Sequence, residues 1–219
     1  MRVFTVGRGV TPAVSYDFGH FERRDQGPAQ QIPPHICLGT QKGIGITTKG
    51  RGSTVLCHPI PPVFDPRARV LILGSFPSVR SRQEGFFYGH PRNRFWQILG
   101  GVFEDDVPRS VEEKIHFLHR HHIALWDVIA SCEISGSADS TIRNVIPTDL
   151  AVILSGARIE SVFTNGRTAE KLYRKYQLPL TGIPSVPLPS SSPANAAWSL
   201  PRLTEAWCIL RYHEKGEGL

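Results

Sequence analysis

From residue 58 onward, short runs of consecutive apolar residues alternate with segments of helical periodicity. Arg69–Gly74 (RVLILG) is a continuous apolar run that ends in glycine, which is typical of a strand buried on both faces of a parallel sheet. Similar runs predict three further strands, at Ile123–Val128, Glu160–Asn165 and Ile183–Pro189. Strands separated in this way need crossover connections, and helices supply them.

The intervening segments carry the helical signals. They predict helices over 91–101, after Ser110, after Thr148–Asp149, over 167–176, and through Leu203, Trp207 and Leu210. Ser110 and Glu113 have the spacing of a capping box. The alternation predicts an α/β fold, a three-layer α/β/α sandwich with a central, mainly parallel four-stranded sheet. In such folds the ligand lies outside the carboxyl ends of the strands.

The first part of the chain differs in composition and in its hydrophobic pattern. Residues 1–54 hold nine of the twenty glycines, and their apolar residues follow neither a helical nor a strand period. We therefore predict an irregular or disordered extension at 1–57 and a folded domain at 58–219. Two interpretations of the extension stay open: a flexible basic tail that contacts DNA, or an over-extended gene prediction with the true start near Val55 or Leu56.

Composition excludes several classes of protein. No stretch approaches the ~18 consecutive apolar residues of a membrane span. The four cysteines contain no CxxC pair, which argues against structural zinc, an iron–sulfur cluster and a disulfide framework. The N-terminus lacks the apolar core of a signal peptide, so we expect a cytoplasmic protein. The net charge is +6, but residues 58–219 hold a surplus of only two positive charges (18 against 16). A nucleic acid would therefore have to be held by a local basic patch.

Two motifs lie at the predicted strand ends. Gly74–Trp96 reads GSFPSVRSRQEGFFYGHPRNRFW, and Leu188–Asn195 reads LPSSSPAN. Together they resemble the uracil-DNA glycosylase superfamily, and they are most similar to its hypoxanthine-DNA glycosylase family, which shares the GSFP loop, the HPxNRFW run and the SPAN loop. The resemblance extends from His58 to the C-terminus.

The resemblance implies an enzyme that rotates a deaminated base out of double-stranded DNA and hydrolyses its N-glycosidic bond. Two positions depart from the pattern of many relatives. Phe76 stands where they place an Asp or Asn that activates water, and Leu188 stands where several place a His. Another residue must therefore position water, or catalysis must depend mainly on stabilisation of the leaving base.

Two residues are the candidate catalytic groups. The resemblance assigns catalysis to Asn93, which the pattern places in the first turn of a helix, where an Asn can also simply satisfy backbone groups. Asp127 ends a predicted strand, near the position where relatives read the base with an Asn; its alternative role is to pair with an Arg.

The remaining site predictions concern base and DNA contacts. The candidate base-binding residues are Gly74, Ser75, Phe76, Tyr88 and Asp127, with the Tyr88 ring stacked on the flipped base. The candidate wedge and DNA-backbone residues are Ser190, Ser191, Ser192, Pro193, Ala194 and Asn195. Four arginines around the first loop are candidates for the basic patch: Arg80, Arg82, Arg92 and Arg94.

Other signals favour structural roles. The histidines of HFLHRHH (His116, His119, His121 and His122) suggest a solvated helix end more than a metal site. Asn165–Gly166–Arg167 is typical of a strand-to-helix turn, with a phosphate site at the helix start as the alternative. We expect no metal, no cofactor and a monomer. No lysine falls within either motif, so we expect a monofunctional glycosylase without a lyase step.

Base choice follows from hydrogen bonding. Hypoxanthine presents an N1–H donor beside the O6 acceptor, and uracil presents N3–H beside O4, whereas adenine reverses this pattern. The resemblance favours hypoxanthine. The alternatives are a mismatch-specific uracil or thymine glycosylase and a non-catalytic α/β module that binds DNA lesions.

Overall fold

The computed structural model of the chain describes residues 47–48, 54–134 and 141–214. Its strands are β1 (Thr47–Thr48), β2 (Thr54–Cys57), β3 (Val70–Gly74), β4 (Ile123–Asp127), β5 (Ile129–Ile134), β6 (Arg143–Pro147), β7 (Ser161–Asn165) and β8 (Ser185–Leu188). Its helices are α1 (Val79–Glu84), α2 (Phe95–Phe103), α3 (Val111–Arg120), α4 (Ala151–Gly156), α5 (Arg167–Leu172), α6 (Leu178–Thr181), α7 (Leu200–Trp207) and α8 (Ile209–Glu214), with a π-helical segment at Tyr173–Gln177 between α5 and α6.

Among these residues, four strands form a parallel sheet in the order β4-β3-β7-β8. These are the four strands that the sequence pattern predicts, so the predicted α/β fold with a central parallel sheet is confirmed. The register brings Gly74 of β3 opposite Asp127 of β4, and Asn165 of β7 opposite Leu188 of β8. The carboxyl ends of the strands therefore meet along one edge.

The sheet separates two hydrophobic clusters. All five residues of β3 are buried, and they alternate between the faces. Val70 and Ile72 pack with residues of α2, α3, α7 and α8. Leu71 and Leu73 pack on the other face with residues of β5, α4 and the π-helical segment. Burial of both faces explains why β3 reads as an unbroken apolar run rather than an alternating one.

An antiparallel sheet, which the sequence pattern does not predict, adjoins the parallel one. Its strand order is β1-β2-β5-β6. A single residue, Val128, separates β4 from β5, so the chain passes directly from one sheet into the other. β2 pairs with β5 through Cys57 and Ser131, and the His58 N–H donates to the Ala130 carbonyl at 2.7 Å.

The antiparallel sheet bears on the predicted boundary at residue 58. Both β1 and β2 fall within the segment expected to be irregular, and β2 is a paired strand. The remainder of that segment, residues 1–46 and 49–53, lies outside the described residues, so the proposed extension stays a prediction there.

The helix that follows the first motif begins later than predicted. The pattern predicts a helix from residue 91, whereas α2 begins at Phe95. Residues 90–93 form a turn in which the Asn93 N–H donates to the His90 carbonyl at 2.8 Å. The Arg94 N–H donates to the Ser191 carbonyl at 3.1 Å, which ties the chain to the last loop just before the helix. Asn93 therefore precedes the helix and is not in its first turn.

Candidate active site

A cavity of about 350 Å³ opens at the carboxyl ends of the parallel strands, where the sequence predicts the site. Both predicted loops line it, together with Asp127 of β4 and Asn165 of β7. Of the predicted site residues, the lining includes Gly74, Ser75, Phe76, Tyr88, Asn93, Asp127, Ser190, Ser191, Ser192 and Ala194. The fold therefore brings the candidate catalytic, base-binding and wedge residues together.

Asp127 is paired with a histidine rather than with an arginine. Its Oδ2 atom lies 2.9 Å from His58 Nε2, and the side chains are only 5 % and 3 % exposed, respectively. The two residues are 69 positions apart in the chain. His58 comes directly after β2, and Asp127 ends β4, so the pair joins the two sheets.

The imidazole of His58 is fixed in one tautomer. The Ile60 N–H donates to its Nδ1 atom at 3.2 Å, so Nδ1 is an acceptor and Nε2 carries the hydrogen that is donated to Asp127. Three aromatic rings surround the imidazole: Phe76, Phe87 and Trp126, with centroids at 5.9, 6.0 and 6.3 Å. Phe76, which departs from the pattern of relatives, therefore forms part of the wall that encloses the His58–Asp127 pair.

The second carboxylate oxygen of Asp127 lies close to Gly74, and both residues line the cavity. A β-carbon built on Gly74 would lie 2.1 Å from Asp127 Oδ1 and 3.0 Å from the Tyr88 hydroxyl oxygen. The absence of a side chain at residue 74 thus gives the carboxylate and the hydroxyl room to lie side by side.

Tyr88 lines the cavity from a constrained position. Its backbone has φ = 54°, in the left-handed region that is unfavourable for a bulky residue. One face of its ring stacks on Phe95 with a centroid distance of 3.8 Å. Its hydroxyl is buried and forms no hydrogen bond within the described residues.

Tyr88 is a neutral hydroxyl in this environment. Burial raises the pKa of Tyr88 well above its usual range, the Asp127 carboxylate adds to the rise, and the nearby Asn165 side chain opposes it. The hydroxyl therefore keeps its proton across the physiological range and is available as a donor.

Asn93 uses its amide oxygen locally. Asn93 Oδ1 accepts from the Phe95 N–H at 3.0 Å, at the start of α2. The structural role that the sequence allows is thus present. The amide nitrogen is the remaining polar group of this side chain, and Asn93 lines the cavity.

Arg94 organises the last loop. Its guanidinium donates to backbone carbonyls of Ser191 (3.3 Å), Ser192 (2.6 Å) and Asn195 (3.1 Å), and also to that of Trp198. Arg94 is half-buried, so it belongs to the scaffold of the loop and not to a surface patch, which corrects the sequence-based interpretation.

The serines of the last loop also differ in role. Ser191 is fully buried; its hydroxyl accepts from Asn165 Nδ2 at 2.9 Å, and its N–H donates to Asn165 Oδ1 at the same distance. Its side chain is therefore not placed for contact with DNA. Ser190 and Ser192 are half-buried, whereas Pro193 and Ala194 are exposed at the tip of the loop.

The other arginines of the predicted patch have different environments. Arg80 is exposed and pairs with Glu84 at 2.7 Å. Arg82 donates to the Pro77 carbonyl at 2.6 Å and lies over the Phe76 ring, and burial lowers its pKa. Arg92 is exposed beside Asn93.

The histidine-rich segment is more structured than a solvated helix end. His116 is exposed, but the His121 ring stacks on Phe103 at 4.2 Å, and its Nε2 lies 2.9 Å from Asp105 Oδ2. Across residues 47–48, 54–134 and 141–214, no group of three or more His, Cys, Asp or Glu side chains is placed to hold a metal ion.

Sequence reasoning missed His58 and the roles of Asn165 and Arg94. His58 stands alone in a proline-rich lead-in, where no spacing signal connects it to Asp127. Asn165 follows an apolar strand in the same way as Asp127, and this shared position was the available signal for a site residue.

The model of the uracil DNA glycosylase superfamily matches residues 61–211. The chain belongs to this superfamily. Its members are DNA glycosylases. Within the described part of the chain, no helix is long and apolar enough to span a membrane.

Individual relatives agree with the family. The chain is 32 % identical to a hypoxanthine DNA glycosylase of Methanosarcina acetivorans over 157 residues, which cover 69 % of this chain and 96 % of the relative. It is 32 % identical to a hypoxanthine DNA glycosylase of Methanosarcina barkeri over 109 residues, 49 % of this chain and 69 % of the relative.

The fold has a counterpart among solved structures. The solution NMR structure of a candidate uracil DNA glycosylase from Methanosarcina acetivorans superposes with a TM-score of 0.61 at 32 % identity. The match covers 71 % of this chain and 96 % of the solved one. The resemblance that the GSFP, HPxNRFW and SPAN segments indicate is therefore accompanied by a similar fold.

Proposed function

We propose that this glycosylase excises hypoxanthine from deoxyinosine-containing duplex DNA and leaves an intact abasic strand. The relatives named as hypoxanthine DNA glycosylases, at 32 % identity, support this substrate. One structural observation supports the proposal: Asp127 Oδ1 and the Tyr88 hydroxyl oxygen lie 2.1 and 3.0 Å from the point that a β-carbon on Gly74 would occupy, and all three residues line the cavity.

These two oxygens complement the edge of hypoxanthine. The carboxylate oxygen would accept from N1–H, and the neutral Tyr88 hydroxyl would donate to O6. Adenine presents the reverse pattern and would leave both groups unpaired, which is costly in a buried site. Uracil offers the same pattern through N3–H and O4, so a smaller ring would be disfavoured by looser filling of the cavity and not by polarity.

The chemistry we propose is hydrolysis of the bond between the sugar and N9 of hypoxanthine. As this bond breaks, negative charge develops on the base, and a hydrogen bond from Tyr88 to O6 would stabilise it. The amide nitrogen of Asn93 would donate to the purine or to the sugar. Water adds to the sugar carbon and loses its proton to solvent, and the departing base takes up a proton from solvent, because both oxygens of Asp127 are already assigned, Oδ2 to His58 and Oδ1 to N1–H. Phe76 stands where many relatives place a water-activating Asp or Asn, and its side chain cannot accept this proton.

The last loop would keep the strand open after the base leaves the stack. Pro193 and Ala194 are exposed at its tip, which suits an apolar wedge. The hydrogen bonds from Arg94 to four backbone carbonyls stabilise the conformation of the loop. Rotation of the nucleotide costs a few kcal/mol and is least costly for a mispaired base, which favours deaminated sites.

The test is a strand-cleavage assay with one lesion per duplex. Duplexes that carry a single deoxyinosine, deoxyuridine or G·T pair are incubated with the protein, and abasic sites are then cleaved with alkali. We expect a break at deoxyinosine and faster single-turnover excision there than at the other lesions. Excision confined to uracil or thymine would replace the proposed substrate, and binding without excision would indicate a lesion-binding module. Strand cleavage without alkali would contradict the monofunctional assignment.

A further inference from the structure

We infer that His58 is a positioning residue for base recognition: it holds one oxygen of Asp127 so that the other faces the base. The inference rests on the proposed function of the cavity. It assigns a role to a residue that precedes the matched region 61–211 and that no sequence motif indicates.

The geometry defines the role. His58 Nε2 donates to Asp127 Oδ2 at 2.9 Å, while Oδ1 lies over Gly74 in the cavity. The imidazole cannot easily turn away, because its Nδ1 accepts from the Ile60 N–H and three aromatic rings pack around it. The carboxylate is thus fixed as an acceptor towards the ligand.

Loss of His58 would change the partner of Asp127. A buried carboxylate without a donor is unfavourable, and the Tyr88 hydroxyl, which has no hydrogen-bond partner among the described residues, lies close to the same point at Gly74 as Oδ1. The Tyr88 hydroxyl would then donate a hydrogen bond to the Asp127 carboxylate, and neither group would be left to bind the base. His58 therefore keeps the donor and the acceptor of the recognition pair separate.

Two variants with an amide at residue 58 differ in whether the side chain is long enough to contact Asp127. In His58→Gln the amide nitrogen can occupy the position of Nε2 and donate to Asp127. In His58→Asn the amide can still accept from the Ile60 N–H but is too short to reach Asp127. We expect His58→Gln to stay within roughly 3-fold of wild type and His58→Asn to lose roughly 10- to 100-fold in single-turnover excision of hypoxanthine, the usual range for a hydrogen bond to a charged group. Circular dichroism and thermal melting check that both variants fold.

A double-mutant comparison tests whether His58 acts through Asp127. In an Asp127→Ala background, His58→Asn should cause no further loss. Equal losses in both backgrounds, or equal activity of the Gln and Asn variants, would overturn the inference. Absence of excision by the wild-type protein on every lesion would instead refute the proposed function, so the two failures are distinguishable.

Discussion

Asp127 Oδ1 lies over the α-carbon of Gly74, at a point where a β-carbon on residue 74 would be 2.1 Å away. The two residues are directly opposite each other in the parallel pairing of β3 with β4. Real side chains do not tolerate such a contact, so a side chain at residue 74 would have to displace the Asp127 carboxylate, which is hydrogen-bonded to His58. Glycine at this position therefore allows Asp127 to take its observed position.

Gly74→Ala should displace Asp127 and the Tyr88 hydroxyl together. We expect single-turnover excision to fall at least 10²-fold, as for loss of an oriented polar group, with the parallel sheet intact by circular dichroism. Gly101→Ala is the matched control, because its β-carbon would meet the Thr204 side chain, and neither residue lines the cavity. Its single-turnover excision rate should stay near that of the wild type. Wild-type excision by Gly74→Ala would show that Asp127 is not needed in its observed position.

Tyr88→Phe tests the hydroxyl separately from the ring. The hydroxyl is buried without a partner among the described residues, so its removal should raise the free energy of unfolding by about 1 kcal/mol. Excision of hypoxanthine should fall, because the donor to O6 is lost. The sequence-based expectation, in which only the ring acts by stacking, predicts no change. Thermal melting and single-turnover rates, measured on the same preparation and compared with Tyr88→Ala, decide between them.

Asn93 has a structural contact and a proposed catalytic one, and two variants separate them. Asn93→Ala should lower excision roughly 10²–10³-fold and also cost about 1 kcal/mol of stability through loss of the bond to the Phe95 N–H. Asn93→Asp keeps an acceptor for that N–H but loses the amide donor. We therefore expect native stability with impaired excision. High activity in Asn93→Asp would argue that residue 93 acts on water as a base.

The neighbouring arginines on either side of Asn93 should behave differently. Arg94→Lys cannot reproduce the contacts of a planar guanidinium with several carbonyls, so it should loosen the last loop and lower excision. Arg92 is exposed, and Arg92→Ala should instead reduce the slope of log affinity against log salt by about one. Binding to a duplex at several salt concentrations measures this. A slope reduced in the same way by Arg94→Ala would place Arg94 at the DNA.

The parallel sheet could be predicted because burial on both faces leaves a direct record in the sequence. Leu71 and Leu73 contact one hydrophobic cluster while Val70 and Ile72 contact the other, so every position of β3 must be apolar. The capping box at Ser110 and Glu113 is equally local, and both of its hydrogen bonds are present. Such features depend on residues that are adjacent in the chain.

The parts of the site that escaped prediction depend on distant partners. The bond between His58 and Asp127 spans 69 residues, and those from Arg94 to the last loop span about 100. Nothing in the local pattern distinguishes Arg94, which holds carbonyls, from Arg92, which is exposed. The antiparallel sheet escaped for a related reason: β2 is a four-residue strand in glycine-rich surroundings, and its pairing with β5 is visible only in three dimensions.

The pairing of β2 with β5, and the bond from His58 to Asp127, determine which fragments of this protein are suitable for study. The region that matches the family begins at residue 61, three positions after His58 and beyond β2. A fragment trimmed to that region would keep Asp127, Tyr88 and Asn93 and every motif by which the family is recognised. It would lack the donor that orients Asp127 and the strand that covers β5. If such a fragment were inactive, the loss of His58 and β2 would explain the result, and nothing would follow about the chemistry of the enzyme.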